Sequence, residues 1–141
     1  MNVYVDSSVL LRVILGEPGR LRIWSKITSV VASELITLEC LRTIDRARIR
    51  LRLADEEIAD RRAAVLETIE TFILVPVGPP VLERAAEPFP TMLGSLDAIH
   101  LASALLVRDT FEDLSLATHD REFAVAARAM GFQVHGAPSK A

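Results

Sequence analysis

Five short apolar runs alternate with helical segments along this chain, and no other feature restricts its fold as much. Val3 to Val5 read as a strand because β-branched and aromatic residues run without polar interruption up to a turn signal, and Val30 to Val31, Phe72 to Val77, Leu114 to Thr118 and Phe132 to His135 read as the other four. Helical patterns fill the gaps. Val9 to Leu15 form a short apolar helix closed by Gly16, and Leu21 to Ile27 continue as a second one carrying Trp24. Ser33 can cap the next helix, whose expected inward face is Leu35, Leu38, Leu41 and Ile44; an amphipathic helix from Asp55 to Glu70 follows, with Ile58, Val65, Leu66 and Ile69 inward. Gly78-Pro79-Pro80 opens a short helix, Ser95 is expected to cap an apolar helix from Leu96 to Val107, and a helix beginning at Asp120 stops at Gly131. Strands separated by helices need right-handed crossovers, which implies a parallel sheet covered on both faces.

Length bounds this to one domain spanning residues 1–141, and the aliphatic bias fits helices packed on a parallel sheet: half the residues are hydrophobic while only 5% are aromatic. A net charge of −3 argues against gripping nucleic acid by general basicity, though not against a local grip through a metal or a basic patch. Cys40 is the single cysteine, so no internal disulfide can form and a reducing compartment is expected. The first strand starts within two residues of Met1, which leaves no room for a signal peptide, and no apolar run is long enough to span a membrane. The expectation is a cytoplasmic protein with no membrane contact.

Four of the nineteen acidic residues fall where such a fold would gather them. Asp6 ends the first strand, Asp97 lies in the first turn of its helix, Asp120 follows the fourth strand, and Glu39 lies a little over one turn into the helix after strand two. Each has a plain structural reading. Asp120 can cap its helix, Asp97 can serve the helix dipole, and Glu39 can pair with Arg42. Asp6 is harder to explain so, because Ser7 or Ser8 is available as a cap and a charge after a buried strand is costly without a partner. Together, four carboxylates at one edge would repel one another and raise each other's pKa unless cations were present. Oxygen-only ligands suit Mg²⁺ or Mn²⁺, which can ionise a water and orient it toward a phosphodiester.

VDSSVLLRVILGEPG, SELITLECLRT, LGSLDAIHLASAL and ATHDREFAVAARAMGF, in that order, resemble a PIN domain, and more closely the single-domain VapC toxins of type II toxin–antitoxin pairs. The resemblance spans nearly the whole chain, and LDAIHLASAL is its most specific block. It implies a three-layer α/β/α domain with a five-stranded parallel sheet and an Mg²⁺- or Mn²⁺-dependent endoribonuclease acting on structured RNA such as transfer or ribosomal RNA. By the same likeness, the acids matching Asp6, Glu39, Asp97 and Asp120 form the metal-binding catalytic cluster, and Thr118 supports it by hydrogen bonding. Asp6 and Asp97 would be the principal ligands. A homodimer and a cognate VapB-like antitoxin are implied as well, and the hydrophobic early helices around Leu10 to Trp24 and Ile58 to Ile69 are candidates for lining that partner's groove.

Other features weigh less. Arg42 and Arg46, from an arginine-rich stretch with only Asp45 opposing it, can contact RNA phosphates or form a solvated helix end. His100, one turn after Asp97, can orient a water or phosphate, but a histidine bonded to a neighbour inside the fold explains it as well. Cys40 reads as a small core residue. An aspartyl-phosphate phosphatase would want a second acid where Ser8 stands, and a phosphate-cradling nucleotide binder would want glycines in DSSVL. The remaining alternatives are a catalytically silent PIN-like module that binds RNA or protein, and a housekeeping RNA-processing nuclease.

Overall fold

The computed structural model describes residues 1–138. Its strands are β1 (Asn2–Val5), β2 (Ser29–Ser33), β3 (Ile73–Val75), β4 (Ser115–Ala117) and β5 (Val134–His135). They form one five-stranded sheet in the order β3-β2-β1-β4-β5, and every pairing is parallel. β1 is central: Val3 pairs with Val30 on one side, and Val5 with Ala117 on the other. From β1 the chain winds outward through β2 and β3, then crosses back to lay β4 against the opposite side of β1. The winding therefore reverses between β1 and β4, and a sheet that reverses there opens a crevice at the carboxyl ends of those strands.

Seven helical segments besides a short turn after α5 connect the strands: α1 (Ser7–Ile14), a single 3₁₀ turn (Trp24–Lys26), α2 (Leu35–Leu51), α3 (Asp55–Ile69), α4 (Pro79–Ala85), α5 (Ser95–Val107) and α6 (Arg121–Ala129). Side chains alternate along β1, so Val3 and Val5 enter one core with Val9, Ile36, Ile44, Ile58 and Val65, from α1, α2 and α3. Tyr4 enters the other, with Val81, Leu101 and Phe123, from α4, α5 and α6. The result is the three-layer α/β/α arrangement. Complete burial of Leu10, Ile36, Leu101 and Phe123 is worth about 2 kcal/mol for each side chain.

Several local expectations are revised. Between Leu21 and Ile27 only one 3₁₀ turn forms, because Ile27 is already extended on its way into β2; Trp24 anchors the segment edge-on against Phe72, with ring centroids 6.3 Å apart. In α2 the inward face is Ile36, Cys40, Ile44 and Ala47, while Leu38 is 59% exposed. Steps of three residues drift by about 60° around a helix, so a strict three-residue pattern cannot stay on one face. Leu66 is also exposed, being one residue round the helix from Val65, whereas Leu10, Ile58, Val65 and Ile69 are buried in this chain's own core. Gly94, not Ser95, stands at the N-cap of α5, and among the described residues no side chain caps that helix.

Candidate active site at the carboxyl edge

Asp6 leaves β1 at the bottom of the crevice and is only 7% exposed. It caps α1 itself, accepting from the Val9 amide at 3.4 Å, so the serines expected to do so are free for other bonds. Ser8 donates its hydroxyl to Asp6 Oδ1 at 2.5 Å and accepts the His119 amide at 3.0 Å. Thr118, fully buried just beyond β4, donates to Asp6 Oδ2 and accepts the Asp120 amide at 3.0 Å. Two hydroxyls thus tie the acid after β1 to the loop after β4. Burial pushes the Asp6 carboxyl above its ordinary range, and the hydroxyl donors pull against that shift.

The same loop delivers Asp120, whose Oδ1 caps α6 by accepting from the Phe123 amide at 3.1 Å. Its place beside Thr118 depends on Gly136, which holds a φ of +96° and packs so closely that an added Cβ would lie 2.7 Å from the Thr118 carbonyl oxygen. Gly136 also accepts the ring Nδ1–H of His119 at 3.0 Å.

Asp97 sits in the first turn of α5, half-buried, and has no side-chain hydrogen bond among the described residues. Its carboxyl is pushed up to about 6, first by burial and then by the negative charges of Asp120 and Asp6, with Glu39 adding to them and His100 opposing. Asp6, Glu39 and Asp120 therefore lie within electrostatic reach of Asp97.

Glu39 does not pair with Arg42. Its Oε1 bonds His100 Nε2 at 2.5 Å, and His100 Nδ1 meets the Tyr4 hydroxyl at 3.0 Å. Arg42 instead pairs with Asp45 at 3.4 Å, and Arg46 donates to the Thr43 hydroxyl at 3.2 Å. Both arginines nonetheless line a groove of about 360 Å³ together with Glu39, Leu38, Leu96 and Ser7. Cys40 lies in the core, its thiol pushed up to about 12 by burial and then by Glu39 and Asp6, which leaves no thiolate to act as a nucleophile.

Among the described residues, no three His, Cys, Asp or Glu side chains are gathered tightly enough to enclose a metal ion. An open site is still compatible with the donors present. Carboxylate oxygens suit a hard divalent cation, and magnesium commonly takes one or two protein carboxylates while keeping several waters. A cation would also relieve the repulsion that raises the Asp97 carboxyl.

Sequence reading overlooked Ser8 as a partner of Asp6, and Tyr4 as a partner of His100. A hydroxyl two residues after a buried acid, and the lone hydroxyl-bearing aromatic inside a buried strand, were the available signals, since a buried tyrosine must find a partner for its O–H.

Crevice and acids together define a doubly wound α/β/α domain with a carboxylate-lined edge at its switch point. The PIN domain family matches residues 3–129, and the chain belongs to that family. It is 28% identical over 132 residues to Ribonuclease VapC47 of Mycobacterium tuberculosis (strain CDC 1551 / Oshkosh), covering 92% of this chain and 93% of that protein. The crystal structure of PAE2754 from Pyrobaculum aerophilum has the same fold, with a TM-score of 0.61 at 19% identity, over 95% of this chain and 89% of that one.

Proposed function

We propose that this protein is a divalent-metal-dependent endoribonuclease, the VapC-like toxin of a type II toxin–antitoxin pair, cutting structured RNA such as transfer or ribosomal RNA. The observation that supports this reading is that Asp6, Glu39 and Asp120, from three separate stretches of chain, all act electrostatically on Asp97, while β1 and β4 lie side by side in the sheet. Similarity to Ribonuclease VapC47 over most of both chains supports the same chemistry. A pure binding module would gain nothing from carboxylates that repel one another.

Asp6 and Asp97 would hold an Mg²⁺ or Mn²⁺ ion, with Glu39 and Asp120 completing its surroundings directly or through water. Such an ion supplies Lewis acidity and a more acidic water. The chain's own contribution is to keep the acids in position: Ser8 and Thr118 hold both oxygens of Asp6, so it cannot rotate out of the crevice. Arg42 and Arg46, in the groove beside Glu39, would hold RNA phosphates next to the acids. A homodimer and a VapB-like antitoxin covering the acidic crevice belong to the same reading.

Purified protein incubated with total RNA and Mg²⁺ or Mn²⁺ should yield discrete fragments that EDTA or Asp6→Asn eliminates. RNA-end mapping after brief induction would name the target, and intact RNA under all metal conditions would refute the nuclease reading. Deleting the partner antitoxin gene should be harmful while this gene is expressed; unaltered growth would refute the toxin role and leave a housekeeping nuclease.

A further inference from the structure

His100 lies on α5 one turn beyond Asp97, and its ring spans two groups from other layers of the fold. On one side, Nε2 stands 2.5 Å from Glu39 Oε1, on α2. On the other, Nδ1 stands 3.0 Å from the hydroxyl of Tyr4, on β1. Tyr4 is fully buried and His100 is 2% exposed, while the Glu39 side chain is 20% exposed and reaches the groove shared with Arg42 and Arg46. The imidazole also lies edge-on to the Tyr4 ring and tilted against Phe123, with centroids 6.3 and 6.4 Å away, so it has little room to turn.

An ionised carboxylate only accepts hydrogen bonds, so the contact with Glu39 requires the proton on His100 Nε2. In the neutral ring Nδ1 is then a bare acceptor, and the phenol, kept protonated by its burial, donates to it. With an ionised Glu39 and a neutral ring, the three groups would form one directed chain, Tyr4 O–H to His100 Nδ1 and His100 Nε2–H to Glu39 Oε1. Only Oε1 is engaged in it; Oε2 has no hydrogen-bond partner among the described residues. Partners of this kind behind a ligating carboxylate orient it, and their loss commonly costs ten- to a hundredfold in metal affinity.

We propose that Tyr4 and His100 are positioning residues which fix Glu39 by one oxygen and leave the other for a divalent cation at the β1–β4 crevice. This rests on the nuclease reading and extends it to two residues that touch neither ion nor RNA. A long glutamate on a helix has several rotamers, and the buried imidazole selects one of them.

Mn²⁺ titration followed by electron paramagnetic resonance tests this without relying on cleavage, with thermal melts to verify folding. Wild type should bind Mn²⁺, and His100→Leu should weaken binding about ten- to a hundredfold. His100→Gln, which can still offer an N–H to Glu39, should recover most of the loss, and Tyr4→Phe should cost about threefold to tenfold, within the same range of outer-partner effects. In a Glu39→Gln background, His100→Leu should have little further effect, because the two act through one contact. Nitrogen NMR of the wild-type ring should find the proton on Nε2. If His100→Leu does not fold, Tyr4→Phe and His100→Gln carry the test. Wild-type affinity in folded His100→Leu or Tyr4→Phe, or equal losses with and without Glu39, would overturn the positioning role alone. A wild type that bound no Mn²⁺ would overturn the nuclease reading along with it.

Discussion

Asp6 and Glu39 line the same edge but are held by unlike means. Asp6 sits on a short side chain at the end of a central strand, tied by the hydroxyls of Ser8 and Thr118 and by the Val9 amide. Glu39 rises from a helix on a longer, looser side chain, steadied by one imidazole that crosses from α5. Ordering a glutamate costs up to about 2 kcal/mol in side-chain entropy, which a charge-assisted bond of 1.5–3 kcal/mol can offset, so a single strong strut suffices there. Burying Asp6 costs more, and three donors share that cost. Asp97 has no side-chain hydrogen bond among the described residues, and burial and then the charges of Asp120 and Asp6 raise its carboxyl.

The largest effect should come from removing a charge at the crevice itself. Asp6→Asn or Asp97→Asn should lower RNA cleavage by about a thousandfold or more, equivalent to roughly 4 kcal/mol of transition-state stabilisation, while circular dichroism remains native. Cleavage within tenfold of wild type for either variant would remove that residue from the catalytic set.

Thr118→Val tests the hydroxyl side of the comparison. It leaves Asp6 Oδ2 and the Asp120 amide without their partner in a buried position, so stability should fall by about 2–4 kcal/mol in a denaturant titration. Thr118→Ser should restore most of it. Wild-type stability in Thr118→Val would show that the hydroxyl does not carry the effect.

Gly136→Ala should cost about 1–3 kcal/mol, because its positive φ disfavours a side chain and the added carbon would press on the Thr118 carbonyl. It should also lower cleavage by shifting the loop that supports Asp6. An unchanged melting temperature would show that the β5 end yields freely.

Asp97 gives a smaller effect whose sign depends on pH. Its folded-state carboxyl titrates near 6, above the ordinary 3.8, so between those values the native protein binds a proton that the unfolded chain does not. Stability from this group is greatest below 3.8, falls as pH rises through the window, and its deficit is complete above 6. Without metal, Asp97→Asn should therefore melt a few degrees above wild type at neutral pH, with the gap closing toward pH 4; solvent screening of this half-exposed group keeps the gain near 1 kcal/mol. Saturating Mn²⁺ should reverse the order. A gap independent of pH would exclude the raised Asp97 carboxyl as its source.

Arg42→Ala and Arg46→Ala should do least: about twofold to fivefold in KM, little change in kcat, and a shallower salt dependence, as expected for phosphate contacts outside the reacting centre. A drop in kcat alone would assign them another role.

Much of the architecture could be read directly. Apolar runs stopped by turn residues marked all five strands, and Asp6, Asp97 and Asp120 were identifiable because each stands at the end of a strand or the start of a helix, where a side chain faces the carboxyl edge. The reading of Asp120 as a cap was also true, whereas Asp6 caps α1 although Ser7 or Ser8 had been expected to do so; the amide that an acid caps and the crevice it faces are neighbours. Leu38 is exposed because a three-residue spacing drifts round the helix, and Leu66 because it stands about 100° round from buried Val65. Glu39 was legible as an acid, but its partner was not: Arg42, the local alternative, is near in sequence, while His100 is sixty-one positions away.

Local pattern determined element type, the parallel sheet and the acidic ends, because those follow from backbone preference and hydrophobic spacing over a few residues. The order of strands, and with it the adjacency of β1 to β4, came only with the tertiary structure. That adjacency puts Thr118 against Asp6, and the stacking of α5 on the sheet puts His100 between Tyr4 and Glu39. Contacts of this kind depend on how layers pack across long stretches of chain, and no spacing within any one segment encodes them.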